Sequence, residues 1–194
     1  AVEAAAILVD ASSGVQVGTE KAWNLCKKEG MPRFFIINKT DKENVDVSAV
    51  VEELKEKFGT SVATLDDRDA LSEAIAETDE ELMEKFFDVG EFTDEEFAQG
   101  LINGIGSGDI APVLDCSAVK GEKIAEVLDA IVKYVPTATG KEYETADGET
   151  VKCDPAGKMS AFVFKTIADP FLGKISLAKV ISGKITPGVE AYNT

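Results

Sequence analysis

At 194 residues the chain can hold one large domain or one and a half. Its 44% hydrophobic content and mean hydropathy of −0.03 describe a soluble globular protein, with no apolar run approaching a membrane span. The net charge is −16, and the lack of any histidine removes most metal sites and most acid–base catalysis at neutral pH.

The N-terminus, Ala1 to Ala6, has no basic leader, so a signal peptide is not expected, and it enters a strand almost at once, as if joined in mid-fold. The apolar strand Ala4 to Val9 is closed by Asp10-Ala11-Ser12-Ser13-Gly14. Glu20 to Glu29 reads as a helix ended by Gly30 and Pro32. Phe34-Phe35-Ile36-Ile37 is the next strand. Val47 to Phe58 is an amphipathic helix, with apolar residues recurring at three and four. Residues 69–103 read as further helices, Val113-Leu114 as a short strand, and Ile124 to Tyr134 as a helix stopped by Pro136. Alternation of this kind predicts an α/β fold: a mostly parallel sheet with flanking helices. After Pro136, residues 137–157 read as a linker with some extended structure. From Met159 the pattern alternates. Ala161 to Lys165 and Ile175 to Gly183 predict antiparallel strands around a turn at Asp169-Pro170, and Lys184 to Tyr192 has strand-like ends around Pro187-Gly188. These look like the opening strands of a β-barrel that continues past Thr194.

Two short motifs carry chemistry. Asn38-Lys39-Thr40-Asp41 directly follows a buried strand. The Asp41 carboxylate can accept two hydrogen bonds from the N–H groups on the guanine Watson–Crick edge, a donor pair adenine lacks. The Lys39 stem can lie along a base while its ammonium stays wet, and Asn38 can tie neighbouring loops together. The second motif, Ser117-Ala118-Val119-Lys120, follows the strand around Val113. There the Ala118 N–H can donate to a purine carbonyl oxygen, where adenine would present its own donor. Both motifs fall at carboxyl ends of strands, where sheets of this type bind ligands.

Charge is unevenly spread. Residues 41–100 carry 20 Asp and Glu against 5 Lys and Arg, a net of −15. A solvated helix face explains such an excess. A docking surface for a basic protein is the functional alternative. The three cysteines, Cys26, Cys116 and Cys153, have no metal or redox spacing. No metal ligand or catalytic residue is assigned.

On these residues the chain resembles the translational GTPases, most closely elongation factor G. Residues 9–20 are similar to the stretch after that family's second phosphate-contacting loop. Phe35 to Asp41 and Cys116 to Lys120 resemble its two guanine loops, and Asp79 to Phe86 an acidic helix of its GTPase domain. Asp169-Pro170-Phe171-Leu172-Gly173-Lys174 resembles a turn of its second domain, a β-barrel. The resemblance implies a P-loop-NTPase-like sheet over 1–136, a linker over 137–157 and the start of the barrel over 158–194. It implies binding of GTP and GDP at Asn38, Lys39, Thr40, Asp41, Ser117, Ala118 and Val119. It further implies Mg²⁺ in the full-length parent only, the ribosome as partner, residues 69–97 as a contact for a ribosomal protein, and a cytoplasmic monomer. Promotion of ribosomal translocation is the implied activity. A ribosomal-protection or release-factor type, and a non-catalytic protein-interaction module, are the alternatives.

The departures matter. No Gly-Lys pair is followed by Ser or Thr, so there is no phosphate loop of the form Gly-x-x-x-x-Gly-Lys-Ser/Thr. The first-switch Thr is not identifiable and the catalytic His is absent. Asp154-Pro155-Ala156-Gly157 fits Asp-x-x-Gly formally but lies after both guanine loops and is read as a turn. A β-rich insertion is expected between Phe58 and Asp66, but only Gly59 to Leu65 lies between them, so that insertion is deleted or not represented. The polypeptide as written is therefore expected not to hydrolyse GTP, and to bind guanine nucleotides weakly or not at all.

Overall fold

The sequence's apolar runs become strands of a parallel sheet. The structure, a computed structural model, describes residues 2–140, 142–145 and 148–192. Ala1, Lys141, Ala146, Asp147, Asn193 and Thr194 lie outside the described residues, and with them both chain ends, part of the expected linker and the last of the expected barrel start. Residues 4–136 form one compact unit; the described residues before and after form a second.

In the first unit, β1 (Ala5–Asp10), β2 (Arg33–Asn38), β4 (Ala111–Cys116) and β3 (Val62–Thr64) lie in the order β1-β2-β4-β3, all parallel. Parallel neighbours need crossovers, and helices supply them. On one face, α1 (Val17–Lys28) and α2 (Val47–Phe58) cover Ile7, Val9, Phe35, Ile37 and Val113 with Trp23, Val50, Val51 and Leu54. Phe35, Trp23 and Phe58 form a three-ring cluster: Phe35 has its ring centroid 5.5 Å from each of the other two, which lie 4.7 Å from one another. The alternate residues of the strands face the other way. There Phe34, Pro112 and Leu114 meet Ile131 and Tyr134 of α6 (Ile124–Tyr134) across a narrow crevice. α3 (Arg68–Ala76), α4 (Glu80–Val89) and α5 (Asp94–Ser107) complete the unit around Leu71, Ile75, Leu101, Ile105 and Ile110.

Part of the acidic excess works locally. Asp46 accepts the Ala49 N–H at 3.1 Å, Asp67 the Ala70 N–H at 3.1 Å, and Asp79 the Glu81 N–H at 2.8 Å. Thr93 and Glu96 cap α5 reciprocally. Each satisfies donors that a helix start leaves unpaired and sets negative charge against the dipole's positive end.

The second unit is built from hairpins. β5 (Glu142–Glu144) pairs antiparallel with β6 (Thr150–Lys152), and β7 (Ser160–Asp169) with β8 (Gly173–Ser182). The β7–β8 turn is fixed by Asp169, whose Oδ1 accepts the N–H groups of Phe171 and Leu172, both at 2.8 Å. Gly173 takes the left-handed φ of 79° that closes it. Asp154-Pro155-Ala156-Gly157 is a turn as read, with Ala156 N–H on the Asp154 carboxylate at 2.8 Å.

Two expectations need correction, and one element was not anticipated: the short strand β3, Val62–Thr64, within the stretch Gly59 to Leu65. Helix α1 starts at Val17, three residues early, because the Thr19 hydroxyl takes the Gln16 N–H at 3.2 Å and opens the first turn. Lys184 to Tyr192 contains no strand: Pro187 offers no donor, and the Val189 N–H closes a turn on Thr186 at 3.1 Å.

Candidate functional site

The register of the sheet brings the two motifs together. Asp10 lies opposite Asn38 across β1–β2, and Asn38 opposite Cys116 across β2–β4. Three strands therefore end level, and the loops that follow Asp10, Asn38 and Cys116 meet at the carboxyl edge.

Asn38 joins two of these loops. Its Oδ1 accepts the Lys39 N–H at 2.7 Å and, from 80 residues away, the Ala118 N–H at 3.1 Å. Buried Cys116 lies under the same oxygen, with Sγ 3.7 Å away. The Thr40 N–H reaches the Cys116 carbonyl at 3.4 Å. Lys39 has a left-handed φ of 70°, uncommon for a residue with a Cβ. Outliers of this kind cluster at functional loops, where surrounding bonds over-determine the backbone.

Ser117 and Asp41 make the second link. Ser117 is wholly buried; its hydroxyl donates to Asp41 Oδ1 at 2.6 Å and accepts the Lys120 N–H at 3.2 Å. Ser117 and Glu122 exchange backbone hydrogen bonds of 3.1 Å each, which closes the loop between them. The Ser117 hydroxyl, with help from the backbone N–H of Asp41 and then from Lys120 and Lys42, holds the Asp41 carboxyl below its ordinary value. Asp41 is thus an ionised acceptor with one oxygen fixed. Among the described residues, no other residue donates to its Oδ2.

The motif residues do not all behave as the sequence implied. The Ala118 N–H, expected to be free for a purine oxygen, points to Asn38, so a ligand there must share or displace that bond. The Lys39 ammonium lies on Asp10. Val119 stands clear of the loop, 86% exposed. The residue missed altogether is Asp10. It accepts the Lys39 ammonium at 2.6 Å, the Lys42 ammonium at 3.3 Å and the Ser12 hydroxyl at 2.7 Å. Lys39, the largest contributor, holds the Asp10 carboxyl far below the carboxylate range. In sequence Asp10 looks like any acid closing a strand; only the parallel register shows what it faces.

The residues fit a guanine base: a fixed carboxylate with an open oxygen, a lysine stem and, where its bond to Asn38 is shared or displaced, the Ala118 N–H. Among the described residues no three carboxylate, thiol or imidazole groups gather as a metal set, and no step here runs through Mg²⁺. A groove of about 340 Å³ is lined by Glu20, Trp23, Asn24, Lys27, Lys57 and Phe58, none of them a residue of these loops. No helix among the described residues is long and apolar enough to cross a membrane.

Residues 1–137 match the family of the elongation factor Tu GTP binding domain. A crystal structure of a protein from Thermus thermophilus superposes with a TM-score of 0.72 at 25% sequence identity. The match covers 96% of this chain and 33% of that one, so the chain spans about a third of that protein's length.

Proposed function

The chain belongs to the family of the elongation factor Tu GTP binding domain, and so to the translational GTPases; we propose that it is the part of an elongation factor G-like GTPase that reads the guanine base. The observation that carries this is the double link between distant loops, Asn38 to Ala118 and Ser117 to Asp41. The links preset the geometry a base needs. Asp41 takes the two guanine N–H donors while Ser117 prevents it from rotating. Asn38 and Ala118 meet the purine's other edge, and Thr40 and Val119 shape the loop backbone around it. Adenine would leave Asp41 without donors, an unpaired charge that the site rejects strongly.

The whole protein is a ribosome-dependent GTPase that promotes translocation, with the phosphate loop and Mg²⁺ ligands supplied by other segments. The resemblance of the Asp169 to Lys174 turn to the family's second domain supports elongation factor G over tRNA-carrying factors. The β7–β8 hairpin then opens a β-barrel domain over 158–194, following a linker over 137–157. The acidic helices within 69–97 dock a ribosomal protein: α4 buries none of its residues, and Phe87 on it is 80% exposed.

Titration of the labelled chain with GDP, IDP and ADP tests the base reading. GDP should bind weakly, above about 1 µM, with saturable shifts of the Ala118 and Asp41 amides. IDP, lacking one of the two donors, should bind more weakly, and ADP not at all. Submicromolar GDP binding would overturn the claim that phosphate contacts come from elsewhere. Equal binding of ADP, or no saturable shift, would overturn guanine recognition.

A further inference from the structure

We propose that Asp10 is a positioning residue for base binding, one that stretches the Lys39 side chain across the loop edge so that its stem forms a preset floor for the purine. The proposal rests on the guanine reading above and adds to it a residue from a third loop. Lys39 is held at both ends. Its backbone N–H is fixed by Asn38 at 2.7 Å with φ at 70°, and its ammonium is held by Asp10 at 2.6 Å. Between these anchors lie four methylenes, the part of a lysine that packs on a flat apolar surface.

The Asp10 site is more than a casual surface pair. An isolated exposed pair contributes little, because holding two long side chains costs entropy. Asp10 is a short side chain on a strand end, fixed by register opposite Asn38. Its oxygens also hold Lys42 and both the N–H and hydroxyl of Ser12, at 3.0 and 2.7 Å for the latter two. Its side chain is 27% exposed, while those of Lys39 and Lys42 are 48% and 43% exposed. The anchor is therefore recessed and the lysine stems lie outside it. Ordering Lys39 before a ligand arrives removes a cost that binding would otherwise carry.

The test is a double-variant cycle on the intact chain, read by the GDP titration, with thermal melts confirming folding. Asp10→Asn and Lys39→Met should each weaken GDP about three- to fivefold. If Asp10 acts through Lys39, the double variant should be no weaker than Lys39→Met alone. Losses that multiply in the double variant, or an unchanged affinity in Asp10→Asn, would overturn the proposal. Asp41→Asn separates the two layers. If it leaves GDP binding unchanged, the guanine reading falls, and with it the role of Asp10. If it removes selectivity over IDP while Asp10→Asn changes nothing, only the role of Asp10 falls.

Discussion

Two phenylalanines, Phe35 and Phe171, mark how differently the two units of this chain hold together. Phe35 in β2 is 0% exposed, stacked against two aromatic rings and flanked by strands on both sides. Phe171 at the tip of β7–β8 is 94% exposed. Along β7, Phe162, Val163 and Phe164 are 57%, 54% and 45% exposed, so that hairpin's order comes from its ladder and turn. The difference follows from topology. Parallel strands are joined by helices that must pack on the sheet, which seals both faces of its centre. A hairpin closes locally and needs no cover to form its hydrogen bonds. Loops that must hold a base in a fixed geometry are accordingly carried by the sealed sheet.

The sharpest test of this contrast is Phe35→Ala. It removes a wholly buried ring from the core and should cost about 3–5 kcal/mol. Urea unfolding followed by Trp23 fluorescence reads it directly, since Trp23 is the chain's only tryptophan and its ring centroid lies 5.5 Å from that of Phe35. A loss below about 1 kcal/mol would mean the sheet tolerates a void, and the contrast would break. A smaller effect is expected at the helix starts. Asp46→Ala leaves the first turn of α2 without its side-chain acceptor and should cost about 1 kcal/mol in the same assay. An unchanged midpoint would mean water replaces the cap and the acidic residues there serve the surface alone.

The same contrast explains what could be read from the sequence. Helices α2 and α6 kept the bounds that periodicity and Pro136 gave them, because a helix is specified within its own residues. β2 was visible as an apolar run. β3 was not: Val62-Ala63-Thr64 has no period to speak of, and it becomes a strand only because Ala111–Val113 pairs with it. The Lys184 to Tyr192 stretch misled through apolar content that Pro187 and Gly188 do not let pair. At the site, Asn38, Asp41, Ser117 and Ala118 were legible as motifs. Their mutual hydrogen bonds, and the place of Asp10 beside them, depend on strand register, which no local pattern encodes.

Ser117→Ala sharpens the comparison at a single proton. The Ser117 hydroxyl is the main cause of the lowered Asp41 value. A carboxyl depressed by folding is ionised, and contributes, above its ordinary value; the contribution is lost as pH falls through the depressed one. Guanine selectivity in the native chain should therefore persist through mildly acid solution. In Ser117→Ala the pH at which selectivity fails should move up toward the ordinary aspartate value. GDP and IDP titrations across acid pH check this, and an identical profile in the two proteins would assign the lowering to the backbone N–H of Asp41 and to Lys120 and Lys42 instead.

Phe171→Ala should have the smallest effect. The substitution removes a ring that is almost wholly in solvent, so little buried area is lost. The turn does not depend on that ring: Asp169 Oδ1 binds the backbone N–H of residue 171, which alanine keeps, and that of Leu172. Gly173 supplies the left-handed residue. Stability should change by no more than about 0.5 kcal/mol. Trp23 lies in the other unit, so amide exchange along β7 and β8 is the proper measure. Unchanged protection would confirm that ladder and turn carry the hairpin. A loss comparable with Phe35→Ala would show the tip packed against something in solution, and the exposed face of β7–β8 would have to be treated as an interface.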